Sequence, residues 1–239
     1  MKKYFLLIVI FLFCVCGCSK RNDNELIMVT EAGFAPYEYY EGGEIVGVDI
    51  DIANEIANYM NKKLVVKDID FDSIINELNS GKADFGAAGM SITEERKKEV
   101  DFSVEYVVSN QVVIVRENSN ITMNDIDGKR IAVQLGSVAD SYVNNNYKKA
   151  NIIEQKKYLS MVEALKANKV DLIVMDNLPA KEILKENTGL KVLDGYLFSD
   201  SYGIAVKKGN TELLNNINTV LERLMNEGKI EEYVINHSK

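Results

Sequence analysis

The chain repeats one local pattern at an interval of 87 residues. Residues 78–85 (LNSGKADF) and 165–172 (LKANKVDL) each follow an apolar helical stripe, pass through Gly81 or Asn168, and enter a short apolar strand. Glycine and asparagine are the residues that tolerate a left-handed conformation at a helix C-terminus. The repeat therefore favours two α/β units of similar construction, although the pattern is common enough in α/β proteins that chance similarity stays open.

Each repeated strand leads to polar residues, near Ser91 in the first unit and at Asp176 in the second. In open α/β sheets, ligands collect at the carboxyl ends of strands. Thr93 predicts a helix start that puts Arg96 close to the positive helix end, where a cation is unfavourable unless an anion lies nearby. Arg96, Ser91 and loop N–H groups would together suit a carboxylate. The alternative is that Arg96 projects into water or pairs with Glu99.

The remaining periodicity predicts elements that complete the two units. We expect a strand at 26–30, an amphipathic helix at 49–60, and a last helix at about 212–226. The apolar runs at 106–115 and 202–206 predict two strands that cross from one unit to the other.

Few residues of the chain could carry catalysis or hold a metal. We interpret Asp49 and Asp51 as capping residues of their helix rather than as metal ligands. The single histidine, His237, is the third residue from the C-terminus, and we expect it to be solvated. No Ser-His-acid set, Cys-His set or metal cluster can be built around it, so we expect neither hydrolase chemistry, a metal nor a cofactor.

The N-terminus resembles a bacterial lipoprotein signal. Two lysines follow Met1, and residues 4–17 are almost wholly apolar but shorter than a membrane span of roughly 20 residues. A small residue before Cys18 predicts cleavage after residue 17, lipid on Cys18, and a polar tether at 18–25. An ordinary secretory signal and an uncleaved anchor are the alternatives. Cleavage would leave one cysteine, and hence no intramolecular disulfide and no cysteine metal site.

The mature part is acidic. Removing residues 1–17 takes away Lys2 and Lys3 and leaves 26 basic against 36 acidic residues, a net charge of −10. There is no basic patch with interleaved aromatic residues, so nucleic acid is not an expected partner. Roughly 215 residues suffice for one large domain or two lobes of about 100 residues each.

The chain carries five motifs in order: Thr30–Tyr39 (TEAGFAPYEY), Gly47–Ala53 (GVDIDIA), Gly89–Arg96 (GMSITEER) with Asp101–Ser103 (DFS), Val170–Ala180 (VDLIVMDNLPA) and Tyr202–Val206 (YGIAV). With these motifs the chain resembles a known family, the family-3 solute-binding proteins, which are polar amino-acid-binding lipoproteins of ABC importers. The resemblance covers nearly all of residues 26–235.

The resemblance implies an α/β, two-lobed, periplasmic-binding-protein-like (type II) fold in which two crossing strands act as a hinge. Lobe 1 would comprise residues 26–107 and 203–239, and lobe 2 residues 108–202. The protein would be a monomer, lipid-anchored through Cys18 on the extracytoplasmic face of the cell membrane. It would capture a free L-amino acid and deliver it to an ABC permease with cytoplasmic ATPase subunits.

The resemblance also assigns roles to individual residues. The ligand carboxylate would meet Arg96, Ser91 and the loop around Ser137 and Val138, and the ligand ammonium would meet Asp176 and the main-chain oxygen of Gly89. The full expected set is Glu31, Phe34, Phe71, Gly89, Met90, Ser91, Arg96, Gln134, Ser137, Val138, Met175 and Asp176.

The side-chain pocket leaves the choice of amino acid open. Phe34 and Phe71 match positions that sandwich the ligand, with core packing as the alternative for both. Glu31 stands where the family more often has Asp, and Val138 stands where a Thr hydroxyl is frequent. Met175 would add adaptable apolar surface. Polar, cationic, cystine and methionine ligands all stay open.

Two other functions are compatible with such a fold. A periplasmic dehydratase acting on cyclohexadienyl acids would need a general acid, for which Glu31 is the one plausible candidate. A ligand-sensing subunit would need a separate signalling partner. We expect a binding protein rather than an enzyme.

Overall fold

The computed structural model describes residues 22–238. The expected signal peptide, the lipidation position Cys18 and the first part of the tether lie outside the described residues. Within residues 22–238, no helix has both the length and the apolar character needed to cross a membrane.

The described chain alternates short strands with helices throughout its length. The strands, in chain order, are β1 (Glu25–Thr30), β2 (Tyr39–Glu41), β3 (Glu44–Val46), β4 (Lys63–Asp68), β5 (Phe85–Gly86), β6 (Val100–Phe102), β7 (Val107–Arg116), β8 (Arg130–Gln134), β9 (Asn151–Gln155), β10 (Leu172–Asp176), β11 (Leu190–Val192), β12 (Phe198–Tyr202) and β13 (Ala205–Lys207). The helices are α1 (Val48–Tyr59), α2 (Ile74–Asn79), α3 (Glu94–Lys97), α4 (Val138–Asn146), α5 (Tyr158–Lys166), α6 (Asn177–Glu186), α7 (Thr211–Asn226) and α8 (Lys229–His237), and a 3-10 turn spans Phe71–Ser73.

Two separate sheets organise these elements. The first sheet has the order β4-β1-β5-β13-β6, with β1 parallel to both of its neighbours. The second sheet has the order β11-β7-β10-β8-β9, and β12 also pairs with β7. Because β13 returns to the first sheet after the whole second sheet is complete, the chain crosses between the two units twice. The result is the expected mixed α/β architecture with two sheet-rich lobes.

The amphipathic stripe of α1 explains how the first lobe closes its core. Ile52, Ala53, Ile56 and Ala57 recur at helical spacing, and all four are buried. They face an apolar cluster that includes Leu26 and residues of α7. The helix predicted at 49–60 therefore forms, and its apolar face is the one that the periodicity indicated.

The repeated helix–strand pattern is real in three dimensions. Gly81 has φ of 73° and Asn168 has φ of 58°, so both helices end through a left-handed residue. The backbone N–H of Gly81 donates to Leu78 O at 3.0 Å, and that of Asn168 donates to Leu165 O at 3.1 Å. The prediction of matching left-handed helix ends is thus confirmed at both positions.

The second crossing differs from the prediction of one strand at 202–206. Strand β12 ends at Tyr202 and β13 begins at Ala205, so the two sheets share no continuous strand here. The N–H of Gly203 donates to Met90 O at 3.0 Å, and that of Ile204 donates to Ser103 Oγ at 2.8 Å. These bonds hold the backbone while it leaves one sheet and enters the other.

The two aspartates at the start of α1 do not cap it, which corrects the sequence-based interpretation. The N-cap residue is Gly47, and no side chain caps the helix. Asp49 is fully buried and instead accepts hydrogen bonds from Gly89 N (2.9 Å) and Tyr106 Oη (2.7 Å). The carboxylate of Asp51 turns outward toward the C-terminal helix.

His237 is not solvated, contrary to expectation. Its side chain is 17% exposed, and its Nε2 lies 2.8 Å from Asp51 Oδ2. Its Nδ1 lies 3.2 Å from Tyr39 Oη. The histidine therefore fastens the end of α8 to α1 and to the β2–β3 hairpin.

The turn at Gly47 generates the first testable expectation. Gly47 has φ of 133°, and an added Cβ would lie 2.1 Å from Tyr37 O. Gly47→Ala should therefore lower the free energy of unfolding by at least about 3 kcal/mol, a large effect for one substitution. Urea unfolding followed by circular dichroism measures the loss.

Gly43→Ala is the matched control. Gly43 has φ of 90°, but nothing lies within 4 Å of an added Cβ. Its cost should be limited to about 1–2 kcal/mol of left-handed strain. Equal losses for the two variants would contradict the steric argument.

Candidate functional site

A narrow cleft lies between the two lobes, and its free internal volume is about 10 Å³. It lies where strands of both sheets end, as expected for open α/β sheets. Its lining residues are Glu31, Phe34, Glu38, Phe71, Ala88, Gly89, Ser91, Arg96, Gln134, Ser137, Val138, Tyr158 and Asp176.

Arg96 reaches into this cleft. Thr93 caps α3 by accepting a hydrogen bond from Arg96 N at 3.1 Å, as the sequence predicted. The guanidinium donates to Ser91 O at 2.7 Å and, across the cleft, to Gly136 O at 2.9 Å. It lies 5.3 Å from the centre of the Phe71 ring. Arg96 therefore neither projects into water nor turns toward Glu99.

The charged guanidinium group of Arg96 is buried in the cleft. Burial lowers the pKa of Arg96 to about 10, although Asp200 and Asp176 oppose that shift. Among residues 22–238, no carboxylate oxygen lies within 4 Å of the guanidinium. Its present partners are neutral oxygens, so the side chain retains the capacity to bind an anion in bidentate geometry.

Asp176, which lines the same cleft, and its neighbour Asp200 have no cationic side chain within 4 Å in the part of the chain that the structure describes. Asp176, at the end of β10, accepts hydrogen bonds from Ser109 Oγ (2.8 Å) and Tyr202 Oη (2.5 Å). Burial raises the pKa of Asp176 to about 6, and the nearby charge of Asp200 adds to the rise. Asp200 accepts a short hydrogen bond from Ser91 Oγ. The two acidic groups therefore lie close together, and their hydrogen-bond donors are the neutral hydroxyl groups of serine and tyrosine side chains.

The far end of the cleft has a different electrostatic character. Glu31 is 1% exposed, and burial raises the pKa of its carboxyl group despite the opposing effect of Lys157. Lys157 Nζ lies 2.7 Å from Glu31 Oε1, and Gln134 Nε2 donates to Glu31 Oε2 at 3.3 Å. Since Glu31 belongs to the first lobe and its partners to the second, this contact bridges the cleft.

Aromatic rings form the apolar walls. Phe34 stacks on Tyr158 with ring centres 5.1 Å apart, and on Tyr37 with centres 5.8 Å apart. Gly89 permits this packing, because an added Cβ would lie 2.5 Å from Phe34 Cε1. Phe34 thus both packs in the core and lines the cavity, whereas Phe71 lies half-buried beneath Arg96.

A buried carboxyl pair supports the floor of the cleft. Glu38 and Asp49 are both fully buried in the first lobe. Burial raises the pKa of Glu38 well above its usual range, and the charge of Asp49 adds to the rise. Neither carboxyl oxygen of Glu38 has a hydrogen-bond partner among the described residues, whereas the carboxylate of Asp49 accepts from Gly89 N at 2.9 Å.

The family model of the bacterial extracellular solute-binding proteins, family 3, matches residues 26–237. The chain belongs to this family.

Similar proteins agree with this membership. The solute-binding protein is 31% identical to the arginine-binding extracellular protein ArtP of Bacillus subtilis, over 97% of this chain and 96% of that one. It is 33% identical to the glutamine-binding protein GlnH of the same organism, over 97% and 96% of the two chains. A solved structure of an ancestral arginine-binding protein bound to arginine superposes with a TM-score of 0.85 at 39% identity, covering 90% of this chain and 99% of that one. Binding of a solute between two lobes is therefore the role of this chain.

Two of the expected site residues point away from the cleft of the solute-binding protein. Met90 is buried in the apolar cluster that contains Val29 and Ile74, and Met175 in the cluster that contains Tyr158. Successive residues of an extended chain point to opposite sides, so Met90 and Met175 face the core when their neighbours Ser91 and Asp176 face the cavity. Met175 therefore adds no adaptable surface to the pocket.

Sequence reasoning missed three residues that line the cleft of the solute-binding protein, Glu38, Ala88 and Tyr158, and two that bond to lining residues, Lys157 and Asp200. Lys157 and Tyr158 open helix α5, which follows a strand whose end faces the cleft. Their position directly after a strand end could have indicated from the sequence that they lie at the cleft. Asp200 is an acid inside a crossing strand, which was a second signal. Glu38 carries no local signal, because only the tertiary fold buries it.

The raised pKa of Asp176 predicts how the stability of the unliganded protein depends on pH. The folded-state pKa of about 6 exceeds the usual 3.8. The stability contributed by the protonated carboxyl is fully present below about pH 4 and is lost as the pH rises through about 6. Asp176→Asn should therefore stabilise the unliganded protein relative to wild type by up to about 3 kcal/mol at pH 7.5.

Urea unfolding of both proteins at several pH values between 4 and 7.5 tests this expectation. Titrating groups that do not interact with Asp176 cancel in the difference between variant and wild type, so Asp200 is the one neighbour whose altered titration contributes to it. The stabilisation should shrink toward zero near pH 4. A difference that does not vary with pH would contradict the assigned environment of Asp176.

Proposed function

We propose that the protein is the amino-acid-binding component of an ABC importer, which captures a free L-amino acid between its two lobes. One observation carries the proposal: Arg96 and Asp176 line one cleft, with Asp200 next to Asp176, and among the described residues neither Arg96 nor these carboxylates have an ion-pair partner. A zwitterion supplies both missing partners at once. The names of the similar proteins, which refer to arginine and glutamine, support an amino acid as that zwitterion.

The α-carboxylate would bind on the Arg96 side. The guanidinium offers N–H groups in a planar fork, and the Ser91 hydroxyl would join it by turning its single O–H from Asp200 toward the ligand. Ser137 caps α4 by accepting from Asp140 N at 3.1 Å, so the start of that helix presents its positive end to the same cavity. Val138 contributes its backbone N–H there rather than a hydroxyl.

The α-ammonium would bind between Asp176, Asp200 and the carbonyl oxygen of Gly89. Ser109 and Tyr202 already hold one oxygen of Asp176 and orient its carboxylate. Burial makes this charge costly while it is unpaired, and an ammonium group removes the cost. Molecules that lack either charged group would leave a buried charge without its partner, so the site would reject them.

The side chain of the ligand would extend between the rings of Phe34, Tyr158 and Phe71 toward Glu31 and Gln134. Phe34, Phe71 and Glu31 belong to the first lobe, and Tyr158 and Gln134 to the second. A ligand therefore contacts both lobes only when they are closed, and it would shift the population toward the closed form. We assign the hinge to the crossings at 107–112 and 199–204, which divide lobe 1 (26–107 and 203–239) from lobe 2 (108–202).

A binding role fits the cleft better than catalysis. Glu31 is the candidate acid for a dehydratase, but its carboxylate accepts from Lys157 at 2.7 Å and from Gln134 at 3.3 Å, whereas a general acid has to donate a proton. We therefore infer that the protein has no enzymatic activity and passes its ligand to an ABC permease with ATPase subunits. A ligand-sensing role would need a separate signalling partner, which no observation supplies.

We further propose that the protein acts as a monomer tethered to the outside of the cell membrane by lipid on Cys18. The support is the sequence alone: a basic start, an apolar run and a small residue before Cys18. Several acyl chains on one residue would give stable anchoring.

Arg96→Ala tests the assignment of the ligand site. Losing the buried cation leaves the ligand carboxylate without its main partner, which should weaken binding of the best ligand at least about 100-fold. Isothermal titration calorimetry with the twenty amino acids, cystine and ornithine identifies that ligand for the wild type. Arg223→Ala is the control, because Arg223 pairs with Glu55 on an exposed helix surface. Wild-type affinity in Arg96→Ala would show that the site is wrongly assigned.

Cys18→Ala tests the anchor. Cells grown with an alkyne-tagged palmitate should incorporate the label into the wild-type protein and not into the variant, because residue 18 of the variant has no thiol to acylate. Capture of each full-length form and detection of the tag provide the measurement. Equal labelling of the two forms would contradict lipid on Cys18.

A further inference from the structure

The end of the cleft farthest from the charged backbone-binding groups contains an ion pair that neutralises the pocket. Glu31 is buried, and its Oε1 receives Lys157 Nζ from the opposite lobe at 2.7 Å. Its Oε2 receives Gln134 Nε2 at 3.3 Å. Each oxygen of the carboxylate thus already has a donor, and the charge that would attract a cationic ligand side chain is matched inside the protein.

Lys157 has two further carboxylates within reach, those of Asp68 and Asp70. Its Nζ lies 3.8 Å from Asp68 Oδ1 and 3.9 Å from Asp70 Oδ1, and its side chain is half exposed. A rotation of the long side chain would exchange Glu31 for these two outer carboxylates. Lys157 can therefore leave Glu31 without losing every anionic partner, but in the structure its shortest ion pair is with Glu31.

The consequence for a ligand depends on the charge of its side chain. A cationic side chain that reaches Glu31 must displace Lys157 or lie beside another ammonium group, and both arrangements are unfavourable. A neutral side chain with hydrogen-bonding groups, such as an amide, meets the oxygens of Glu31 and the amide of Gln134 without disturbing the pair. The pocket therefore discriminates on charge more than on length.

Resting on the proposed amino-acid-binding function, we propose that Lys157 is a specificity-determining residue that makes the pocket prefer amino acids with neutral polar side chains over cationic ones. In this ion pair the Lys157 ammonium group occupies the position beside Glu31 that the cationic side chain of a basic ligand would otherwise take. Removing the Lys157 charge would leave Glu31 unpaired and would turn the same pocket toward cationic ligands.

The neighbouring lysine supplies a matched control. Lys156 Nζ also bridges the cleft, lying 2.7 Å from Asp70 Oδ2, but it is not a partner of Glu31. Substituting Lys156 or Lys157 by methionine removes one positive charge at the cleft edge and keeps the aliphatic stem. Lys157 is the N-cap residue of α5 but makes no side-chain capping hydrogen bond, so Lys157→Met does not remove a helix cap.

The decisive experiment compares two ligands of nearly the same shape and different charge, L-arginine and L-citrulline. Calorimetry gives the two dissociation constants for wild type, Lys157→Met and Lys156→Met, and L-glutamine serves as a shorter neutral ligand. Wild type should bind citrulline at least as tightly as arginine. Lys157→Met should move the arginine-to-citrulline ratio toward arginine by at least about tenfold, or 1.4 kcal/mol. Lys156→Met should move it by less than about threefold.

A reciprocal variant separates the charge effect from misfolding. Glu31→Gln leaves Lys157 without its buried partner and should move the same ratio away from arginine. Thermal unfolding confirms that each variant is folded before titration. An unchanged ratio in Lys157→Met, or equal shifts in the two lysine variants, would overturn the role of Lys157 while the amino-acid-binding function stands. Failure of wild type to bind any free amino acid would instead overturn the proposed function.

Discussion

The carboxylate of Asp49 is the contact on which the geometry of the cleft depends. It lies at the start of α1 and accepts hydrogen bonds from Gly89 N, at the end of the first repeated strand, and from Tyr106 Oη, at the start of the first crossing. Three segments distant in sequence therefore meet at one fully buried group. Glu38 lies beside it, and burial together with the charge of Asp49 raises the pKa of the Glu38 carboxyl group well above its usual range. A buried carboxylate with these donors holds its position because losing any one of them is costly.

The cleft above this contact keeps charges apart rather than pairing them. Arg96 rests on carbonyl oxygens, and Asp176 rests on hydroxyl groups. Such an arrangement lowers the stability of the unliganded protein, since buried charges without counter-ions are unfavourable. It also explains why a zwitterion is the natural occupant in our proposal. At the far end of the cleft the charges are paired within the protein, because Glu31 already has Lys157 as its counter-ion.

The sequence predicted the elements of the fold well and the environment of single side chains less well. The helix at 49–60, the cap at Thr93 and the left-handed ends at Gly81 and Asn168 all form, because they depend on local periodicity and local backbone preference. Asp49 and His237 were misinterpreted. Their partners, Gly89 for Asp49 and Tyr39 for His237, are 40 and 198 residues away, so no local pattern could reveal them.

By itself, the sequence determined the two α/β units, the strand ends at which a ligand would collect, and the family to which the chain belongs. These follow from periodicity, from glycine and asparagine at helix ends, and from motif order, all of which are properties of short segments. Only the tertiary structure decided which side chains face the cleft, turning Met90 and Met175 into the core and bringing Asp200 and Lys157 to the site. The physical reason is that burial and charge pairing depend on contacts between lobes, and those contacts exist only after the chain has crossed twice from one sheet to the other.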